Sequence, residues 1–338
     1  MKVLLLTNMY PTAKRVFYGI FVKEYVDSLL RAGVAVDVFF TDASEARLKY
    51  FSDILRLKDT LKNGTYDIIH SQHTFCIHQL ILAGQTGKHR PIVLTLHEAE
   101  ILLPGNVSYF SLDIAGNLVY SKRLKRWAMN AVDCLVSVEE SLPEAASYKK
   151  KYDVIAPGIN LDVFQPMDKN ECRKKLNLPL DETVLLFPAD PNRSVHKGYA
   201  LFQEALNSLK KQPRVVLGGK IPHDEMAVYM NASDVVVQAS NFEASPMVIK
   251  EAMACNIPVV STDVGDTKLL FGNTEGYFLS ERVASDFTKQ LEKAIAYGKR
   301  TAGRERILQL KLSLDDVANK YINLYQRLLH EASVRSAH

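Results

Sequence analysis

Residues 235–261 read Val235-Val236-Val237-Gln238-Ala239-Ser240-Asn241-Phe242-Glu243-Ala244-Ser245-Pro246-Met247-Val248-Ile249-Lys250-Glu251-Ala252-Met253-Ala254-Cys255-Asn256-Ile257-Pro258-Val259-Val260-Ser261. A short β-branched run opens the stretch, another closes it, and a longer run of helix formers lies between. The pattern reads as strand Val235–Gln238, helix Met247–Cys255 and strand Pro258–Ser261, with Ser245 as the N-cap and Pro246 as the first helical residue. A helix joining two short valine-rich strands is the crossover unit of a parallel sheet.

The rhythm extends in both directions. Just upstream, Val184–Phe187 and Arg214–Leu217 read as strands, followed by helices Tyr199–Lys210 and Asp224–Asn231. The first half gives strands Lys2–Leu6, Ala35–Phe40, Asp67–His70, Ile92–Leu96 and Cys134–Val138. Helices Ile20–Arg31, Glu45–Lys62, Phe75–Gln85 and Val119–Asn130 separate them. One connection breaks the series: Pro157-Gly158-Ile159-Asn160-Leu161-Asp162-Val163-Phe164-Gln165-Pro166, with two prolines and a glycine, between a short strand Asp153–Ala156 and a charged helix from Asn170. The expected fold is therefore α/β, with two doubly wound Rossmann-like domains in tandem, 1–160 and 161–314, facing across a cleft. Near the C-terminus, Leu314, Val317, Tyr321, Leu324, Tyr325 and Leu328 share one face of a helix Ser313–Leu329, which must pack on something.

Composition excludes several classes. The chain has 338 residues, 47% hydrophobic and 24% charged, as in ordinary globular proteins. Lys plus Arg is 42 against 38 for Asp plus Glu, and a net +4 is too small to make nucleic acid the main partner. The four cysteines, Cys76, Cys134, Cys172 and Cys255, form no C-x-x-C pair and read as reduced thiols of a cytoplasmic protein. No apolar run reaches the length of a signal-peptide core or a membrane span.

In open sheets of this kind, ligands bind beyond the carboxyl ends of the strands. No G-x-G-x-x-G, no P-loop and no D-x-D follows any strand, which removes the usual dinucleotide fingerprint and the carboxylate pair that clamps a metal-bound diphosphate. No metal or cofactor is expected. The N-terminus of the helix opened by Ser245 and Pro246 favours an anion, and Glu243 and Glu251 can face one ligand as acceptors for sugar and ribose hydroxyls. The plainer alternative is a capped surface helix with solvated glutamates.

The stretch resembles the E-x7-E segment of retaining family 4 glycosyltransferases, enzymes of the two-domain GT-B fold. Glu243, Pro246, Glu251-Ala252-Met253-Ala254 and Pro258-Val259-Val260 match in position, and Ala244 stands where the family usually has glycine. Pro157-Gly158-Ile159-Asn160-Leu161-Asp162 is similar to the family's interdomain Asn-Gly-Val-Asp signature. Arg193 and Lys197-Gly198 resemble the residues that bind the donor diphosphate, although Arg193 lies four rather than five before the lysine. Thr95-Leu96-His97 resembles the T-x-H segment whose histidine faces the donor sugar. Gly218-Gly219-Lys220-Ile221 resembles the loop that reads the base, and Gly19 the glycine that lets the first helix approach the diphosphate.

The resemblance implies transfer of a sugar, with retention, from a nucleoside-diphosphate donor (UDP favoured, GDP as the second choice) to a hydroxyl of a glycan or lipid-linked acceptor. His97, Arg193, Lys197 and Glu243 would act at the reacting centre. Gly19, Gly219, Lys220, Ile221, Ala244, Ser245, Pro246, Met247, Val248 and Glu251 would bind the donor. It also implies domain closure and a last helix, about 315–330, that returns to the first domain.

Lys122-Arg123-Lys125-Arg126-Trp127 and Lys149-Lys150-Lys151 read either as contacts with an anionic membrane, on its cytoplasmic face, or as solvated faces with Trp127 in the core. His70, His73 and His78 run from a strand into a helix and are not expected to converge on a metal. Two other functions stay open: a nucleotide-sugar epimerase of the same fold, and a silent partner subunit that binds the donor.

Overall fold

The structure, a computed structural model, describes residues 1–16, 18–42, 49–86, 90–97, 99, 121–192 and 195–336. The chain divides into two compact units: Met1–Gly158 with Leu314–His338, and Ile159–Ser313.

The first unit is built on six parallel strands, β1 (Lys2–Thr7), β2 (Ala35–Phe40), β3 (Ile68–Ser71), β4 (Ile92–Leu96), β5 (Cys134–Ser137) and β6 (Asp153–Val154), in the order β2-β1-β3-β4-β5-β6. Its helices are α1 (Ile20–Arg31), α2 (Lys49–Asn63), α3 (Thr74–Leu82), α4 (Lys122–Asn130) and α5 (Ser141–Ala145). The second unit carries α6 (Lys169–Lys175), β7 (Val184–Phe187), α7 (Tyr199–Asn207), β8 (Arg214–Leu217), α8 (His223–Ala232), β9 (Val235–Gln238), α9 (Met247–Ala254), β10 (Val259–Thr262), α10 (Thr267–Phe271), β11 (Tyr277–Ser280), α11 (Ala284–Tyr297) and α12 (Gly303–Gln309). Its sheet runs β11-β10-β9-β7-β8, all parallel. In both sheets the chain starts at an inner strand, steps outward once and then crosses to the other side. Each sheet therefore has a switch point beside its first strand, between β1 and β3 and between β7 and β9, where ligands of doubly wound sheets bind.

The periodicity located the core strands well, and several ends shift. The predicted strand 153–156 pairs only over Asp153–Val154. Helix 45–62 is described from Lys49, and residues 119–120 of the predicted Val119–Asn130 helix lie outside the described residues. The last helix, α13 (Leu314–Ser336), is longer than expected. Its apolar face packs in the first unit: Val317, Tyr321, Leu324, Tyr325 and Leu328 join Val22, Tyr25, Val26 and Leu29 of α1 in one core cluster. The two segments that cross between units are bonded to each other, with Ile159 N–H donating to Leu312 C=O at 2.8 Å.

Trp127 is not a core residue. It is 49% exposed and stacks on His78 with ring centroids 5.3 Å apart, whereas Lys125 of the same helix is buried. The three histidines diverge: His70 is buried in β3, His73 Nδ1 caps α3 by accepting from Phe75 N–H, and His78 reaches Leu124 C=O. All four cysteines are buried free thiols.

A polar cluster sits inside the apolar first unit. The Tyr325 hydroxyl lies 2.5 Å from His70 Nδ1 and 2.7 Å from the Tyr25 hydroxyl, while His70 Nε2 is 2.7 Å from Thr95 Oγ1. Burial, with a smaller effect of nearby His97, pushes the His70 pKa down to about 3. An unfolded histidine titrates at about 6.5, so between about pH 3 and 6.5 the unfolded chain binds a proton that the folded chain does not. Stability from this group is complete above pH 6.5 and is lost as pH falls, at up to about 1.4 kcal/mol per pH unit. Trp127 is the one tryptophan and lies in this unit. Its fluorescence in urea titrations from pH 7 to pH 5 should show the slope, and His70→Gln should flatten it.

Candidate functional site

In the second unit, the loops that follow β7 and β9 meet at the switch point. Gly198 opens α7 in the left-handed conformation, φ +72°, and a Cβ placed there would lie 1.8 Å from the Ala239 carbonyl oxygen. Only glycine lets the two loops approach this closely. The Asn241 N–H donates to His196 C=O at 2.7 Å, and the His196 ring stacks on Phe242. This contact brings the single 3-10 turn Val195–Lys197 over the loop that carries Glu243. Lys197 Nζ donates to Glu243 Oε1 at 2.5 Å, and Ser240 Oγ and Gln238 Nε2 donate to the same oxygen at 2.9 and 3.3 Å. The carboxylate is thus held by one oxygen, in a half-buried ion pair at the carboxyl ends of the strands.

Ser245 does not cap α9. The cap is Pro246, and the Ser245 hydroxyl turns inward instead, donating to Asp266 Oδ2 at 2.5 Å and accepting from Lys250 Nζ at 2.6 Å. Lys250 is fully buried, with its ammonium 3.9 Å from Asp266. A cation in that place needs an anion beside it, which takes precedence over the local preference of serine for a cap. Burial raises the Asp266 pKa, against the lowering effects of Lys250 and Ser245. Asp266 N–H also donates to Ala244 C=O at 3.3 Å. The backbone from Ala244 to Met247, with Val248 in the first turn of α9, is therefore clamped from below. Glu251, 6% exposed in the second turn of α9, lies 3.5 Å from His223 Nε2. Gly219 and Lys220 lie in the 3-10 turn after β8, which Ile221 closes by donating to Gly218 C=O at 2.9 Å. Arg193 lies outside the described residues.

In the first unit, His97 directly follows β4, with Nε2 2.7 Å from Gln72 Oε1 and its ring edge-on to Phe21. Gly19 is the left-handed cap of α1, φ +71°. A Cβ there would lie 2.4 Å from the Met9 carbonyl carbon, so the close approach that this glycine permits is between α1 and the loop after β1.

Sequence reasoning passed over Lys250, Asp266, His223 and Gln72. For Lys250 a signal exists: every residue of α9 from Ile249 to Ala254 is buried, and charges on a helix buried all round must be paired. A cavity of 730 Å³ lies elsewhere in the second unit, beside Asn273 and Tyr297. Two of its cations are committed to backbone carbonyls, Arg300 to Met167 and Asn231, and Arg306 to Leu269 and Leu270.

The profile described as Glycosyltransferase Family 4 matches residues 3–163, and that described as Glycosyl transferases group 1 matches residues 198–303. The chain is 24% identical, over 87% of its length and 89% of the relative's, to a glycosyltransferase assigned to teichuronic acid biosynthesis in Bacillus subtilis (strain 168). D-inositol 3-phosphate glycosyltransferase of Gordonia bronchialis is 23% identical, with 85% of this chain and 71% of the relative covered. Sucrose-phosphate synthase of Thermosynechococcus elongatus superposes with a TM-score of 0.75 at 19% identity, over 98% of this chain and all of that one. Anabaena HepE in complex with UDP gives 0.70 at 17% identity, over 97% of this chain and 100% of that one. These neighbours share the GT-B arrangement of two parallel-sheet α/β domains.

Proposed function

We infer from the two glycosyltransferase profiles and the GT-B neighbours that the chain is a glycosyltransferase, and we propose that it moves a sugar from a UDP-sugar to a hydroxyl acceptor with retention of configuration and without a metal. The observation that carries this reading is the Lys197–Glu243 pair at the switch point of the second sheet. Cleavage of a sugar–phosphate bond leaves added negative charge on the diphosphate. A fixed cation and the N-terminus of α9 are the groups that would stabilise it. Arg193 is a second cation for the same charge. Glu243 accepts hydroxyls of the donor sugar, Glu251 those of the ribose, and His97 faces the sugar. The acceptor hydroxyl attacks from the face that the diphosphate leaves, and a phosphate oxygen takes its proton.

UDP is the preferred nucleotide because HepE binds UDP and UDP-glucose. A glycan or lipid-linked acceptor is favoured by the teichuronic acid relative and by the surface of α4. No helix among the described residues is long and apolar enough to cross a membrane. Arg123, Arg126 and Trp127 are exposed on α4, and Lys150 reaches the Asn130 carbonyl at its end, so the two basic spots adjoin. Such a surface suits peripheral contact with anionic lipid on the cytoplasmic face.

Thermal unfolding with UDP, GDP and ADP tests the donor half. A nucleotide at 100 times its Kd stabilises by about 2.7 kcal/mol, a rise of several degrees. UDP alone should raise Tm, and Glu251→Ala should diminish the rise. A rise with GDP alone would change the base. No rise with any of the three would reject the donor site.

A further inference from the structure

We propose that Gln72 is a positioning residue that holds the His97 imidazole in one tautomer, with its proton on Nε2, and in one ring orientation. The inference rests on the reading of His97 given above. It is carried by a ladder of side chains across two neighbouring strands. His70 and Gln72 on or just past β3, and Thr95 and His97 on or just past β4, are each two residues apart and so lie on one face of the sheet. The parallel register pairs His70 with Val93 and Ser71 with Leu94, which sets Gln72 level with Thr95. The backbone of Gln72 is fixed by its N–H, which donates to Leu6 C=O at 2.9 Å.

The buried Gln72 side chain spans the two imidazoles. Its Oε1 is 2.7 Å from His97 Nε2 and its Nε2 is 3.1 Å from His70 Nε2. An amide oxygen only accepts, so His97 Nε2 carries the proton. The amide nitrogen only donates, so His70 Nε2 is the acceptor and His70 Nδ1 carries its proton, donated to the Tyr325 hydroxyl. Thr95 Oγ1, 2.7 Å from His70 Nε2, agrees as a second donor, with the Tyr321 hydroxyl 3.0 Å behind it. Every hydrogen along Tyr325–His70–Gln72–His97 then has a single direction, and the chain ends on two tyrosines of α13. A reversed amide would reverse both tautomers. The Tyr325 and Thr95 hydroxyls can each donate or accept and fit either direction, so it is the Gln72 amide that sets both rings. The tautomer of an imidazole is set by the hydrogen bonds of its ring nitrogens, and the bond at His97 Nε2 is to the Gln72 amide oxygen.

Nitrogen NMR of the protein labelled in its nine histidines, with His97 assigned from His97→Asn, reads the tautomer directly and without any substrate. We expect His97 protonated at Nε2 in the wild type, a mixture in Gln72→Met, and retention in Gln72→Glu, whose carboxylate keeps the acceptor. Sugar transfer should fall about 10- to 100-fold in kcat for Gln72→Met with little change in donor KM, because displacement of a reacting group acts on the chemical step. Gln72→Glu should recover most of it. An Nδ1-protonated or mixed His97 in the wild type overturns the proposal, and this result stands if Gln72→Met does not fold. So does an unchanged tautomer in a folded Gln72→Met. A changed tautomer with unchanged kcat would leave the hydrogen-bond lock in place and overturn the role of His97 itself.

Discussion

Lys197→Met should lower kcat for sugar transfer by about 100- to 1,000-fold, the usual loss when one preorganised donor to developing charge is removed. Its ammonium is 2.5 Å from Glu243 Oε1, so it is already fixed where the diphosphate is proposed to leave. A group that neutralises charge created in the reaction contributes more to the transition state than to the bound donor. The UDP-dependent rise in Tm should therefore shrink only modestly while kcat collapses. Glu243 would keep Ser240 and Gln238 as partners, which separates the loss of the cation from misplacement of the carboxylate. Lys197→Arg should not restore the wild-type rate, because a planar fork does not fit a site built around a compact ammonium. Rates measured with a UDP-sugar at saturation check both variants. An unchanged kcat in Lys197→Met would remove this residue from the chemistry.

Much of this was legible in the chain itself. Both sheets follow from β-branched runs, because a strand buried on both faces has a near-continuous apolar sequence. Val235–Gln238 and Ile92–Leu96 have the same ends in the sequence and in the structure. The six apolar residues of α13 are all buried as their spacing requires, although spacing alone could not say which unit they would meet. Local rules failed where a partner distant in sequence decides. Ser245 is a good cap by rule, yet Lys250 and Asp266 draw its hydroxyl inward. Trp127 is apolar by composition, yet its neighbours Arg123 and Arg126 place it at the surface, where its ring covers His78. Gln72 lies 25 residues before His97, and only the strand register brings them together.

Arg173→Ala should destabilise the second unit by about 3–5 kcal/mol, the range for a buried ion pair that loses one partner. In the sequence Arg173 lies in a charged helix from Asn170, and the structure gives this helix the bounds Lys169–Lys175. In the structure Arg173 is 1% exposed and spends its whole guanidinium on the protein. Nε donates to Ala232 C=O at 2.9 Å, Nη1 to the carbonyls of Pro179, Leu180 and Glu182, and Nη2 to Asp234 Oδ2 at 2.8 Å. Asp234 also accepts from Lys169 and from the Val184 N–H, the first residue of β7. Removal of the arginine leaves the carbonyl of fully buried Ala232 without this donor, and an unpaired buried acceptor costs more than a bond gains. Calorimetry should show a fall in Tm of about 10 °C, since 1 kcal/mol moves a unit of this size by ~2–4 °C. Trp127 fluorescence, which reports the other unit, should move less. Arg173→Lys should recover little, because one ammonium cannot reach the carbonyls on one side and the carboxylate on the other. In the double variant Arg173→Ala with Asp234→Ala, the loss should be smaller than the sum of the two single losses, since each single variant already removes the Nη2–Oδ2 bond that the two side chains share. β7 leads directly into the loop that carries Lys197, so a weakened start to this strand should also lower affinity for UDP, with the ligand-binding side chains untouched.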